Sequence, residues 1–256
     1  MLLRRITQHV KDQNWLAVGI DFAIVVFGVF IGLQVSNWNE TRLERTVEKD
    51  TLIRLYADIQ ESIDGQARDL NFLQQQLDDQ YVVLAALDAC AVAPDQSNIM
   101  QRGITTLGWI NPPRLFRRTI DEVTASGRTD IFSNEDLAEE LARIVALVEW
   151  RASWFDHTMR GVNDYRQDVE PFIRYRLDRE IENPFVPNHR GGVDYDIEEL
   201  CANTRLANAI SATSNATSER LEAYRPILEA YEAFAPRIAA ELESGWGVRV
   251  TASDLP

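Results

Sequence analysis

The run Trp15 to Leu33, WLAVGIDFAIVVFGVFIGL, carries a single charge, Asp21, and from Phe22 to Leu33 it carries none. A helix apolar on every face has no polar side to show to water, so it belongs in a large core or in lipid. Extension to Trp38 adds only Gln34, Ser36 and Asn37 as polar residues. At 1.5 Å per residue the segment 15–38 reaches about 36 Å, enough to cross a hydrocarbon layer of roughly 30 Å. Trp15 and Trp38 stand where the aromatic belts of a membrane helix stand. The spacing predicts a transmembrane helix over 15–38, with the lipid bilayer as its first partner. A cleaved signal peptide needs small residues at the first and third positions before the cut. That pattern is missing here, because Gln34 precedes Ser36 and Phe30 precedes Gly32 at that spacing.

The flanking bases do not fix the orientation. Arg4, Arg5 and Lys11 precede the helix, and Arg42, Arg45 and Lys49 follow it. The amino-terminal amine tips the balance toward a cytoplasmic tail at 1–14 and an exported remainder. Within the helix, Gly28 and Gly32 form a GxxxG pair, and Ser36 continues the small residues at the same spacing. Asp21 lies two turns before Gly28 and on the same side. This face gives a homodimer seam a physical basis, since small residues let two membrane helices approach closely. Asp21 reads equally as a partner-facing carboxyl or as an interfacial group reached by water.

After Asn39 the pattern is that of long amphipathic helices. Leu52, Tyr56, Ile59, Ile63, Gln66, Leu70, Leu73, Leu77, Gln80, Leu84 and Leu87 alternate spacings of four and three. Gly65 falls inside this helix and marks a bend. The stretch from Ala91 to Phe132 is broken by Pro and Gly, with short helices expected at 96–107 and 115–126. Ser133 reads as the N-cap of a second long helix through Leu141, Val148, Phe155, Val162 and Val169, reaching Arg179, with a kink at Pro171. Residues 183–194 read as a loop, after which Asp194 or Asp196 caps the last helix. That helix carries Thr217, Leu221, Tyr224, Leu228, Tyr231, Ala235, Ile238 and Leu242, with Pro226 and Pro236 as kinks or restarts and Gly245 as its stop. The fold class expected is all-α: an N-terminal transmembrane helix, then an elongated antiparallel helical bundle with coiled-coil-like seams at 39–245, then a loosely held tail at 246–256.

This path places Cys90, after the first long helix, and Cys201, at the start of the last, at the same end of the bundle. In an exported domain they are candidates for a disulfide; in a reducing compartment they are two buried thiols. Net charge is −14, which removes nucleic acid from the expected partners, because binding it needs a basic face. The one basic cluster, Arg114, Arg117 and Arg118, offers an anion or an acidic partner a contact, or else pairs with acids on neighbouring helices.

The sequence holds no G-x-S-x-G, Walker A, G-x-G-x-x-G, C-x-x-C or H-E-x-x-H pattern. His9, His157 and His189 lie far apart, and no E-x-x-H pair occurs. No cofactor, metal or enzymatic activity is expected on this reading.

The polar and apolar residues of the anchor together carry a resemblance. Asn14-Trp15-Leu16-Ala17-Val18, Asp21-Phe22, Ile24-Val25-Val26, Gly28 to Val35 and Asn37-Trp38-Asn39-Glu40 resemble the opening of a family of uncharacterised bacterial single-pass membrane proteins, a domain of unknown function. Thr119 to Glu122, Ser126 to Arg128 and Asn134 to Leu137 are similar to a later part of its pattern. The resemblance implies an anchor and a helical domain, and it transfers no activity or catalytic residue. The function expected is a membrane-anchored interaction or scaffold module facing the periplasm and binding a protein partner. The alternative is a ligand-sensing bundle that signals through a partner membrane protein.

Overall fold

The computed structural model describes residues 15–127, 131–182 and 190–251, with side chains from 22 onward except at 177–191. Helix is the dominant structure, in eight-tenths of the described residues, beside one two-stranded sheet. The expected tail at 1–14 and the last residues of the expected tail at 252–256 lie outside the described residues. The chain divides into two compact units after Thr51.

Helix α1, Trp15–Ala89, contains 75 residues and passes through both units. In the first unit its side chains from Phe22 to Thr46 are exposed, Ala23 alone being half-buried. Phe22, Ile24, Phe27, Phe30, Leu33 and Trp38 are all more than half exposed. This helix is long and apolar enough to cross a membrane.

The second unit lays four lengths of chain beside one another. After α1 come a 3-10 turn at Pro94–Gln96, α2 at Ser97–Thr105 and α3 at Arg118–Ala125. Then follow α4 at Glu135–Val169, a second 3-10 turn at Glu170–Phe172, β1 at Ile173–Glu182, β2 at Arg190–Tyr195, α5 at Ile197–Ala202 and α6 at Thr204–Trp246. Directions follow from the polar contacts. Asp79, Gln76, Asp69 and Asp58, met in that order going back along α1, bind Arg102, Trp109, Arg114 and Arg118, so the segment 102–118 returns antiparallel to α1. Asn134 at the start of α4 reaches Glu241 at the end of α6 (2.6 Å), and Asp168 at the end of α4 reaches Arg205 at the start of α6 (2.7 Å). Those two helices are therefore antiparallel as well.

The apolar stripes do the packing. Leu52, Leu55 and Ile59 of α1, Leu137, Leu141 and Val148 of α4, and Tyr224, Ile227, Tyr231, Phe234 and Ile238 of α6 form one buried cluster. A second cluster joins Val83 and Leu87 to Met100, Ile104, Val169, Val193, Leu200 and Leu206. Each fully buried aliphatic side chain contributes roughly 1.5 to 3 kcal/mol of burial free energy. Helix starts are closed by side chains: Asn134 accepts from the Leu137 amide (3.2 Å), Asp196 from those of Glu198 and Glu199, and Asn203 from those of Arg205 and Leu206.

Several expectations need correction. The second long helix does not reach Arg179 but ends at Val169, and the expected loop at 183–194 contains a strand. Pro171 has no amide hydrogen to continue the helix, and the chain turns through 170–172 into β1. Ile173, Tyr175 and Leu177 then alternate as a strand requires, paired antiparallel with Tyr195, Val193 and Gly191. The N-cap of α4 is Asn134 in place of Ser133. Gly245 does not stop α6; the helix runs to Trp246, and Gly247 takes the left-handed conformation (φ 67°) that closes it. Pro226 and Pro236 do not restart α6, because both sit on its exposed face, where water can satisfy the carbonyls they release. Finally, the tail is not loose at 246–250, where Trp246, Val248 and Val250 pack against the main cluster.

Candidate functional site

The residues singled out in the anchor stand on an open helix surface. Cβ atoms added at Gly28 or Gly32 would meet nothing within 4 Å, and Ser36 is exposed. The Asp21 side chain lies outside the described residues, though its backbone is helical. No described residue covers the helix surface at Gly28 or Gly32.

The three arginines sit in a strap, residues 106–118, that crosses α1. Arg114 Nε contacts Asp69 at 2.5 Å, and Asn111 donates to the same carboxylate at 3.0 Å. Arg118 bonds Asp58 at 3.1 Å and Glu61 at 2.5 Å, while the Thr119 amide donates to Asp58 at 2.8 Å. Arg117 bonds Glu149 of α4 at 2.6 Å and Asp121 at 3.2 Å, and these carboxylates raise its pKa, Glu149 most. Each arginine thus has a carboxylate partner among the chain's own acids.

The same strap is held by neutral groups. Gln66 accepts from the Arg114 amide (3.0 Å) and Ser62 from that of Phe116 (2.9 Å). Gln76 donates to the carbonyls of Thr106 and Trp109, Tyr224 to that of Asn111 (3.0 Å) and Tyr231 to that of Arg114 (2.6 Å). Burial pushes both tyrosines' pKa values up. Gly65 lies under the strap, with Arg114 Cδ 3.0 Å from where a Cβ would stand, so its lack of a side chain makes room for the crossing.

Sequence reasoning missed this strap. Its signal was present: Asp58, Ser62, Gln66, Asp69, Gln76 and Asp79 form a polar stripe on α1 at helical spacing, facing a segment that holds Arg102, Arg114 and Arg118. Such residues read as a solvated face until a second basic segment is seen to match them.

Cys90 and Cys201 are bonded in the structure, with Cα atoms 5.5 Å apart, inside the usual range for a disulfide. Cys90 closes α1 in the left-handed conformation (φ 47°), and the Ala91 amide donates back to the Ala86 carbonyl at 3.1 Å. The bond spans 111 residues of sequence. A loop of that order corresponds to about 4.7 kcal/mol in the chain-entropy account.

Two clefts on the second unit are lined by described residues. One, of about 320 Å³, is lined mainly by Leu55, Ile120, Val123, Phe132, Leu141 and Val145, with the Arg117–Glu149 pair among its polar members. Its largely apolar lining can take an apolar side chain. The other, of about 410 Å³, lies between α4 and α6 and is lined by Arg151, Trp154, Ser218, Glu219, Glu222 and Ala223. Arg220 is buried next to it, stacked 4.0 Å from the Trp154 ring centre. Position 220 is three residues after Thr217 and four before Tyr224, on the buried stripe, but an arginine there reads as surface in a bare sequence. Among the described residues no group of three or more His, Cys, Asp or Glu is arranged to hold a metal ion. No family model, no curated protein and no solved structure matches the chain.

Proposed function

We propose that this chain is a bacterial single-pass inner-membrane protein with its N-terminus inside, its anchor at 15–38 and its acidic helical unit in the periplasm. On this reading it belongs with the family its anchor resembles and acts as an interaction or scaffold module for a protein partner, not as an enzyme. The observation that carries this is the run from Phe22 to Val35, exposed almost all round with no polar face, which only lipid or another protein can cover. The disulfide at Cys90 and Cys201 supports export, since such bonds persist outside the reducing cytosol. For the partner, Tyr81, Trp150, Tyr165 and Tyr175 are exposed aromatics on an otherwise acidic surface, the residue types that anchor protein interfaces. A photo-crosslinking residue placed at Tyr81 or Trp150 in native membranes is expected to trap one and the same protein. Adducts with lipid alone, or with a different protein in every preparation, would contradict the module reading.

A second reading has one observation in its favour. The cleft beside Trp154 gathers charged groups of both signs, as a ligand-sensing bundle requires. Signalling would then pass through a partner membrane protein, along the face that carries Gly28, Gly32 and Ser36.

A further inference from the structure

Arg220 is a buried cation with no ion pair among the described residues. The residue is 1 % exposed, yet neither its Nε nor its Nη1 has a hydrogen-bond partner. Trp154 stands 4.0 Å from the guanidinium carbon and Phe155 5.4 Å, so its neighbours are largely ring faces. Its polar neighbour is the Tyr224 hydroxyl, which already donates to the Asn111 carbonyl. Burial lowers its pKa, Tyr224 and then Glu219 act to raise it, and Arg151 lowers it further. A buried cation with unmet donors costs several kcal/mol unless a counter-charge approaches.

Arg151, one side of the same indole, has the same deficit. Its guanidinium carbon lies 4.4 Å from the Trp150 ring centre and 6.0 Å from that of Trp154, and its buried Nε has no acceptor. Two arginines therefore share Trp154, and neither forms an ion pair among the described residues. The other wall of the cleft has the opposite need. Glu219 is engaged by Asn215 at 2.9 Å, whereas Glu222 has no hydrogen bond or ion pair among the described residues. Between Glu149 and Gly161, moreover, α4 buries no side chain fully, so this stretch is the least closed part of its contact with α6.

We propose that the cleft between Arg151, Trp154, Ser218 and Glu222 binds a small zwitterion of the α-amino-acid type. Its carboxylate pairs with the Arg151 guanidinium where that group lines the cleft, its ammonium pairs with Glu222, and its body lies on the Trp154 ring. Guanidinium is the side chain best matched to a carboxylate, and the indole face suits a cation or a flat apolar body. The two glutamates disfavour a simple anion and especially a dianion such as phosphate, because either would meet like charge. Arg220 backs the indole from its buried side, and the arriving carboxylate offsets its field. This site goes beyond the interaction reading and is independent of it: trapping of a protein at Tyr81 or Trp150 neither requires nor excludes a ligand here.

The test uses the full chain in detergent micelles, titrated with each of the twenty standard L-amino acids, with acetate and with ethylammonium. Calorimetry and tryptophan emission are read together. At least one amino acid is expected to bind saturably and change the emission, with the emission change lost in Trp154→Phe. Arg151→Gln and Glu222→Gln are each expected to weaken binding by about tenfold or more, the worth of one charge-assisted hydrogen bond. Acetate and ethylammonium, each carrying half the ligand, are expected to bind at least as weakly as those variants. Thermal unfolding of Glu222→Gln, altered at an exposed position, shows whether its loss is one of binding alone. No saturable binding by any amino acid, undiminished binding in both variants, or acetate binding as tightly as the best amino acid would each overturn the proposal.

Discussion

The two ends of α1 use opposite residues in opposite ways. Between Phe22 and Trp38 large apolar side chains stand exposed, whereas between Asp58 and Gln80 seven polar ones, Asp58, Ser62, Gln66, Asp69, Gln76, Asp79 and Gln80, are buried. Hydrophobicity alone would have assigned the interior to the wrong end. What decides is the partner available to each side chain: lipid can cover apolar surface without any protein contact, and a polar group can be buried once its donors and acceptors are met. The strap from Thr106 to Arg118 supplies partners for five of the seven, Gln80 and Asp79 excepted, and Asp79 is met by Arg102.

The sharpest way to break this comparison is to remove one side of a buried pair. Asp69 is 8 % exposed and Arg114 44 %, so the two partners do not lose equally. Arg114→Met leaves the buried carboxylate with Asn111 as its remaining donor and is expected to destabilise the second unit by about 3 kcal/mol, the low end for breaking a buried pair. Asp69→Leu frees an arginine that can turn to water and should cost clearly less. Chemical denaturation of both variants checks the order, and equal losses would show that the pair is held by water and not by the strap.

A charge introduced into the opposite end tests the other half of the comparison. Val29→Arg is expected to oppose membrane insertion by about 2.5 to 3.5 kcal/mol if that position lies near the bilayer centre. A smaller effect follows if it lies near an interface. Membrane-fraction yield of the variant, set against Arg42→Ala outside the anchor, reads the depth. The stability of the second unit, measured on the same samples, should not change.

The smallest expected effect lies at a helix end. Asn134→Ala removes the cap on the Leu137 amide and the contact to Glu241, for a loss of about 1 kcal/mol. A shift in the thermal midpoint with unchanged membrane yield would confirm that the two ends of the molecule fail separately.

Much of the fold was legible because its rule is periodic. The stripes through Leu52, Ile59 and Leu73, and through Thr217, Tyr224, Tyr231 and Ile238, bury the residues their spacing selects. The hairpin was not legible, since the four-three alternation of α4 runs on through Val169 to Ile173 and masks the two-residue period that begins there. Pro171, which decides between them, reads as a kink within a continuing helix. The strap was hidden for a different reason: a polar stripe next to an apolar seam looks the same whether water or a second segment covers it. Arg220 was invisible on the same ground, because only the packing of Trp154 and Phe155 around it shows that it is inside. At Gly28, Gly32 and Ser36 the structure adds only that both glycines face open space and the serine is exposed; the seam expected there needs a second helix to show itself.

Alkaline extraction of membranes, which strips peripheral proteins and leaves embedded ones, tests the central claim most directly. If the greasy stretch near the start of α1 lies within the bilayer, the full-length chain stays in the pellet and leaves it only with detergent, while a chain lacking 15–38 moves to the soluble fraction. Release of the full-length chain by alkali alone would contradict the account.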